Sequence, residues 1–431
     1  MKISDILTKI NECALDDALA ELYGEDADIL KKQKERYIHA LEMFSSTFPE
    51  DGDRDICIYS APGRTEICGN HTDHQKGCVL AASIDMDAIA VVASSENDEI
   101  RIQSEGYPMV CIEISDLLPR EHEKGTTAAL IRGVVAQFCA RGVKVKGFDA
   151  YITSTVLPGS GLSSSAAFEV LLGKIIDCRD NGGETGPVEI AKIGRFAENW
   201  YFGKASGLMD QMASSVGGLV EIDFGYSKDP KIDTHQFDFD KSGLALIITD
   251  TGGSHADLSE EYSAIPREMR SVARFFGKDR LSEVDEKEFY ARISKLRKDP
   301  EITERAILRS AHFFSDNARV RKEARALEDS NIPAFLALVN ESGESSASLL
   351  QNLYSSSDPQ SQAIPLALMM SRRILGGNGA CRVHGGGFAG TIQAFVPKEK
   401  IVEYTASLEG LFGSGACHIV RIRPKGAVQI I

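Results

Sequence analysis

Residues 156–168 constrain this chain more than any other segment. They read Val-Leu-Pro-Gly-Ser-Gly-Leu-Ser-Ser-Ser-Ala-Ala-Phe, so Gly159 and Gly161 precede Ser163, Ser164 and Ser165. Ala166 and Ala167 then lead into an apolar, helix-prone run, and residues 148–156 upstream read as a strand. A strand that turns through glycine into a helix presents bare backbone N–H groups at the positive end of the helix dipole. That combination binds phosphate. Glycine lets the phosphate approach the backbone, and serine hydroxyls add hydrogen bonds or a Mg²⁺ ligand. Taken alone, the segment reads equally well as a Gly/Ser turn with serine capping.

The remainder of the chain narrows the choice. With 431 residues it is too long for one ordinary core, so two or three domains are expected. A net charge of −15 with no basic block argues against nucleic acid and anionic membrane as partners. No apolar stretch is long enough to span a bilayer, and residues 1–11 lack a signal-peptide core, which makes the cytoplasm the expected compartment. Nine scattered cysteines without a Cys-x-x-Cys pair read as reduced, buried small hydrophobes.

Residues 1–46 read as a helical extension, with helices over 3–22 and 27–44. A short strand at 56–59 leads into Ala61-Pro-Gly-Arg64, and 79–93 reads as a strand pair. Further strands are expected at 99–104 and 109–114, with helices at 127–141, 188–202 and 209–216. Strands at 219–223 and 244–249 flank a polar stretch, and the composition turns charged and helical after 258. The expected domains are 1–242 and 243–431. Strands and helices mix without regular βα alternation, which points to an α+β fold.

The nucleotide motif is neither a Walker loop nor a Rossmann turn. No G-x-x-x-x-G-K-[ST] occurs. The G-x-G-x-x-G from Gly385 to Gly390 runs into a strand-like segment rather than a helix. The protein-kinase signature set is absent as well.

Four separated segments instead match, in order, the galactokinase family of the GHMP small-molecule kinases. They are Pro62-Gly-Arg-Thr-Glu-Ile-Cys-Gly-Asn-His-Thr-Asp-His74, Pro158 to Ala167, Gly207-Leu-Met-Asp-Gln211 and Arg382-Val-His-Gly-Gly-Gly-Phe-Ala-Gly390. The resemblance covers roughly residues 55–425. It implies an N-terminal domain like the second domain of ribosomal protein S5, a ferredoxin-like C-terminal domain, and an active site between them. It also implies a sugar 1-kinase that uses ATP and Mg²⁺, acting on a free sugar as a monomer or weak homodimer.

Residue roles follow from the same resemblance. Asp210 faces the anomeric hydroxyl, a task that suits a carboxylate within hydrogen-bond reach. On its own it also reads as a helix cap. Arg64 is the active-site cation, able to keep Asp210 ionised and offset charge on the moving phosphoryl. Ser165 and Glu198 are the Mg²⁺ ligands, although Glu198 taken singly reads as an exposed helix charge. Pro158, Gly159, Ser160, Gly161, Leu162, Ser163, Ser164, Ser165 and Ala166 cradle the nucleotide phosphates, with Gly385, Gly386 and Gly387 at the far end of the cleft. Asn70, His71, Asp73, His74, Gly207 and Tyr262 are the expected sugar contacts.

The sequence departs from the family's usual Gly-Glu-His-Thr-Asp-Tyr, having Gly69-Asn-His-Thr-Asp-His74. Asn70 replaces the glutamate that binds the C6 hydroxyl of galactose. Plant galacturonate kinases resemble this chain here, so an acid sugar is the rival substrate and galactose the expected one. Thr127 stands where many relatives carry an aromatic adenine platform. A non-catalytic sugar sensor is the alternative of another class. The complete serine loop, Asp210 and Arg64 argue against it.

Overall fold

The computed structural model describes residues 1–49, 54–156, 161–204, 206–226, 229–253, 258–388 and 390–431. Its strands are β1 (Ile56–Cys68), β2 (Cys78–Ser94), β3 (Glu99–Ser104), β4 (Val110–Glu113), β5 (Phe148–Ser154), β6 (Leu219–Asp223), β7 (Lys231–His235), β8 (Leu244–Asp250), β9 (Ala380–Val383), β10 (Thr391–Pro397), β11 (Cys417–Val420) and β12 (Val428–Gln429). They form two sheets. The first has the order β12-β1-β2-β5-β3-β4, with β6 beside β2 and β7 beyond it; the second is β11-β8-β10-β9. The fold is α+β, as the sequence led one to expect. The last strand returns to pair with β1, so both ends of the chain meet at the first sheet.

The first sheet is buried on both faces. Helices Thr127–Ala140, Ser164–Asp180 and Pro187–Phe196 cover one face through Val134, Phe138, Leu171 and Ile175, which pack on Ala90, Phe148 and Ile152. The N-terminal helices cover the other, with Ile6, Leu19, Tyr37 and Phe44 against Ile58, Val91 and Tyr151. Alternate residues of a strand face opposite ways, which is why β2 supplies both layers. A third cluster joins the two sheets, packing Ile67, Leu80 and Ala82 with Leu246, Ile248 and Phe395. One face of the second sheet packs on helices Ala363–Leu375 and Ile401–Phe412.

Several elements differ from the sequence reading. The extension forms three helices, Ile3–Asn11, Asp16–Tyr23 and Ala27–Thr47, because the chain breaks at Cys13 with φ +61°. β1 does not stop at Tyr59. It runs through Pro62-Gly63-Arg64 to Cys68, and its register on β2 jumps between Pro62 and Arg64. Pro and Gly mark turns in most contexts, but here they mark a bulge that re-aims the strand. Residues 79–93 are one strand rather than a pair. The polar centre that resembles a turn is buried under the returning tail, with Ser83 Oγ donating to Arg423 O at 2.6 Å. The polar stretch after β6 contains β7, and the helix expected to 202 relaxes into a π-helical turn, Ala197–Phe202.

Candidate active site

The bulge in β1 places Arg64. Its backbone N–H donates to Leu162 O at 3.1 Å, tying the strand to the serine loop. Its side chain runs across to helix Met209–Val216, where Nε and Nη2 each reach one oxygen of Asp210 at 2.7 Å. Nη1 donates to Gly161 O at 2.5 Å, and Ser163 Oγ donates to Asp210 Oδ2 at 2.6 Å. Burial would push the Asp210 carboxyl up. The Arg64 guanidinium and the Ser163 hydroxyl outweigh it and hold the acid well below the usual carboxylate range. Arg64 is 6% exposed, which removes the surface salt-bridge reading. The Asp210 side chain keeps 26% of its surface open, so it is ionised, oriented and reachable.

Ser163 takes a left-handed conformation, φ +62°, immediately before the helix that begins at Ser164. Gly161 has φ +71°, and a Cβ there would lie 2.5 Å from Thr391 Oγ1, so the close packing of the first loop on β10 requires glycine. Leu162 and Ala166 are buried and anchor the turn, while Ser164 opens the helix. Pro158, Gly159 and Ser160 lie outside the described residues.

Glu198 sits on the π-helical turn and is 1% exposed, so it is no solvated helix charge. Ser165 Oγ donates to its Oε1 at 2.9 Å. Lys204 Nζ lies 2.7 Å from the same oxygen, and Ser206 Oγ and Gln211 Nε2 bind Oε2 at 2.5 and 2.9 Å. Gln211 also donates to Glu169 Oε2 at 2.9 Å. Burial, and then the nearby Glu198 charge, raise the Glu169 carboxyl well above its ordinary range. A hydroxyl and a carboxylate held together suit Mg²⁺, which takes one or two protein oxygens and completes its shell with water and phosphate. Among the described residues, no group of three or more His, Cys, Asp or Glu gathers as a fuller cage.

Lys204, Ser206, Gln211 and Glu169 were not found from sequence. Gln211 follows Asp210 directly, and Glu169 lies one helical turn after Ser165. Those spacings were the only signal.

The loop from Gly69 to Gly77 carries the other expected contacts. Asp73 opens a short 3₁₀ turn, and its Oδ1 accepts from the His74 N–H at 2.8 Å. A Cβ on residue 207 would collide with Asp73 Oδ2, so Gly207 lets this carboxylate and the Asp210 segment come together. His71 and His74 stack with centroids 5.9 Å apart. Burial, and then the neighbouring His74, lower the His71 imidazole to about 3, so it is neutral across the working range. His71, Asn70 and Tyr262 all turn toward Gly385–Gly387. That glycine turn lies against the serine loop, where a Cβ on Gly385 would come 3.9 Å from Gly161 O. The structure therefore gathers Arg64, Asp210, Ser163, Ser165, Glu198, Asp73 and Gly207 in one region, with Gly385–Gly387 packed beside the serine loop.

Two family models match the chain. The galactokinase galactose-binding signature covers residues 42–94, and the GHMP kinases N-terminal domain covers 129–218. The fold is similar to that of Lactococcus lactis galactokinase complexed with galactose, at 21% identity and a TM-score of 0.77 over 90% of this chain and 99% of that one. It is also similar to Methanococcus jannaschii mevalonate kinase, at 16% identity and a TM-score of 0.60, covering 86% and 99%. Streptococcus pneumoniae phosphomevalonate kinase in complex with phosphomevalonate and AMPPNP matches at 13% identity and a TM-score of 0.56, covering 84% and 98%. Arg64, Asn70 and Asp73 fall inside the first matched segment, and Ser163, Ser165, Glu198 and Asp210 inside the second.

Proposed function

Carrying that signature and that domain, the chain belongs to the galactokinase family of the GHMP kinases and is an ATP-dependent carbohydrate kinase, and we propose that its reaction is galactose plus ATP giving galactose 1-phosphate plus ADP. The observation that carries this reading is the Asp210 carboxylate, held ionised by Arg64 and Ser163 beside the serine loop.

The chemistry follows from that placement. The anomeric oxygen attacks the γ-phosphorus, the bond from phosphorus to the ADP oxygen breaks, and the hydroxyl proton passes to Asp210. Arg64 fixes the carboxylate in one plane and sets positive charge beside the developing anion. Ser165 and Glu198 would hold Mg²⁺, which neutralises phosphate charge when bound. Lys204 Nζ pairs with Glu198 Oε1 at 2.7 Å in the buried site. Asp73 offers a hydroxyl acceptor across from Gly207.

Its nine cysteines are all free, which suits a reducing compartment, and on this reading the enzyme works in the cytoplasm as a monomer or weak homodimer. Among the described residues no helix is long and apolar enough to cross a membrane.

A coupled assay for ADP release with galactose, galacturonate, N-acetylgalactosamine and arabinose tests the proposal. Turnover is expected to be fastest with galactose. Preference for galacturonate would replace the substrate, and sugar-independent ADP release would remove the kinase reading.

A further inference from the structure

Three consecutive backbone carbonyls of the glycine turn are each bound by a side chain from elsewhere in the chain. Asn70 Nδ2 donates to Gly385 O at 2.6 Å, His71 Nε2 meets Gly386 O at 2.9 Å, and Tyr262 OH donates to Gly387 O at 2.8 Å. Asn352 Nδ2 adds a second donor to Gly386 O at 3.2 Å.

Asn70 is the most constrained of these. It is fully buried, and its amide is wholly occupied. The remaining Nδ2 hydrogen goes to Glu66 Oε1 at 2.8 Å, and Oδ1 accepts from Asn352 Nδ2 at 2.7 Å. Its backbone N–H donates to Asp316 Oδ2 at 3.0 Å, and its carbonyl meets His312 Nε2 at 2.9 Å. Glu66 is itself paired with buried Arg382 at 3.0 Å. An amide has two N–H donors and one carbonyl, and all three are used inside the protein.

We propose that Asn70 is a positioning residue, which fixes the Gly385–Gly387 turn against the serine loop and makes no contact with the sugar. Asn70 has to be an amide because it lies between two acceptors, the Glu66 carboxylate and the Gly385 carbonyl. A carboxylate at 70 would set three acceptors against one another in a buried space with no donor between them. Residue 70 therefore does not read the substrate's C6 group in this chain. Asp73 and His74, which keep part of their surface open, are on this reading the residues left for the sugar.

The activity arm of the test rests on the sugar-kinase reading, and two other arms do not. Asn70→Asp keeps the shape and removes both donors. Wild type, Asn70→Asp and the double variant Glu66→Gln/Asn70→Asp are compared on galactose, 6-deoxygalactose and galacturonate, with thermal midpoint and Mg·ADP affinity measured on the same samples. Asn70→Asp is expected to lower kcat/KM roughly ten-fold or more for every sugar turned over, with ratios between sugars moving less than about two-fold. Its thermal midpoint falls, and the double variant recovers part of both losses, since a donor again faces a carboxylate. A changed sugar ratio with an unchanged midpoint would make residue 70 a sugar ligand and overturn the proposal. So would an Asn70→Asp protein identical to wild type.

If Asn70→Asp does not fold, Asn352→Ser removes the donor to Oδ1, and the same uniform loss is expected. If wild type turns over no sugar, the kinase reading fails. Midpoint and Mg·ADP affinity still decide the proposal: unchanged values in Asn70→Asp reject it, and a joint loss with partial recovery in the double variant sustains it.

Discussion

Arg64 and Asp210 are 146 residues apart in sequence and meet as a two-pronged pair, with Nε and Nη2 each 2.7 Å from one carboxylate oxygen. The guanidinium fork matches the carboxylate plane, a geometry that an ammonium cannot reproduce. Asp210→Asn is expected to lower kcat roughly a thousand-fold or more, with ATP-analogue affinity nearly unchanged. Arg64→Lys should lower kcat as well, by roughly a hundred-fold. Steady-state kinetics alongside calorimetric titration of the analogue separate the two effects. A near-normal kcat in Asp210→Asn would remove that residue from the chemistry.

The same pair fixes a pH dependence. Asp210 is held well below the ordinary carboxylate range, so it stays ionised as pH falls through 5. A depressed carboxyl also contributes stability above its unfolded pKa of about 4, which is lost only as pH drops toward the folded value. The kcat profile should therefore show no acid limb from this group between about pH 5 and 8. An acid limb near pH 6 that disappears in Asp210→Asn would contradict this.

Gln211 supports Glu198 from behind. Gln211→Leu keeps the bulk and removes the donor shared with Glu169. The Mg²⁺ concentration for half-maximal activity should rise about ten-fold, since groups that orient a metal ligand commonly contribute that much. KM for the sugar should hardly move. An unchanged Mg²⁺ requirement would argue that Glu198 does not hold the ion.

The N-terminal helices are anchored by charge as well as by apolar packing. Arg36 Nη1 lies 2.6 Å from Asp87 Oδ1, and Tyr23 and Arg423 bind the same buried carboxylate. Arg36→Met should lower stability by about 3 kcal/mol, because it leaves a buried carboxylate short of one cation. Urea unfolding measures this, and a loss near zero would mean the extension is not a working part of the core.

Glu323 is fully buried, beside the Cys68 thiol and near Arg382. Burial pushes its carboxyl from an ordinary 4.5 up to about 8. The folded state then binds a proton that the unfolded state releases, so stability falls with rising pH across that window. Glu323→Gln should raise the thermal midpoint, and the gain should grow from about pH 4.5 to 8 and then level off. A gain that is flat across the window would place the charge elsewhere.

Much of the fold could be read from the sequence because its signals were local. Helices at 127–141 and 209–216 follow from apolar spacing, and the strands at 99–104 and 219–223 from short alternating runs. The failures had local causes too. Pro62 and Gly63 carry turn chemistry, yet they lie inside β1, because a bulged strand uses the same residues as a turn. Residues 79–93 read as a strand pair, yet they form one strand, in which the tail and Arg36 supply partners for Ser83 and Asp87. At the site, the motifs named Arg64, Ser163, Ser165, Glu198 and Asp210. Lys204 and Ser206 lie in none of the four motif segments and act only by where they sit.

The sequence by itself determined where the serine loop gives way to a helix. Glycine and serine followed by an apolar, helix-prone run mark a backbone turn at a helix start, and that constraint acts over a few residues. Only the tertiary structure decided what each polar side chain does there. Asn70 reads in sequence as a neutral substitute at a sugar-binding position. Its meaning changes once Glu66, Gly385 and Asn352 surround it, since a buried amide is committed by the donors and acceptors it meets. Those partners lie up to 315 residues away, and no pattern along the chain records them.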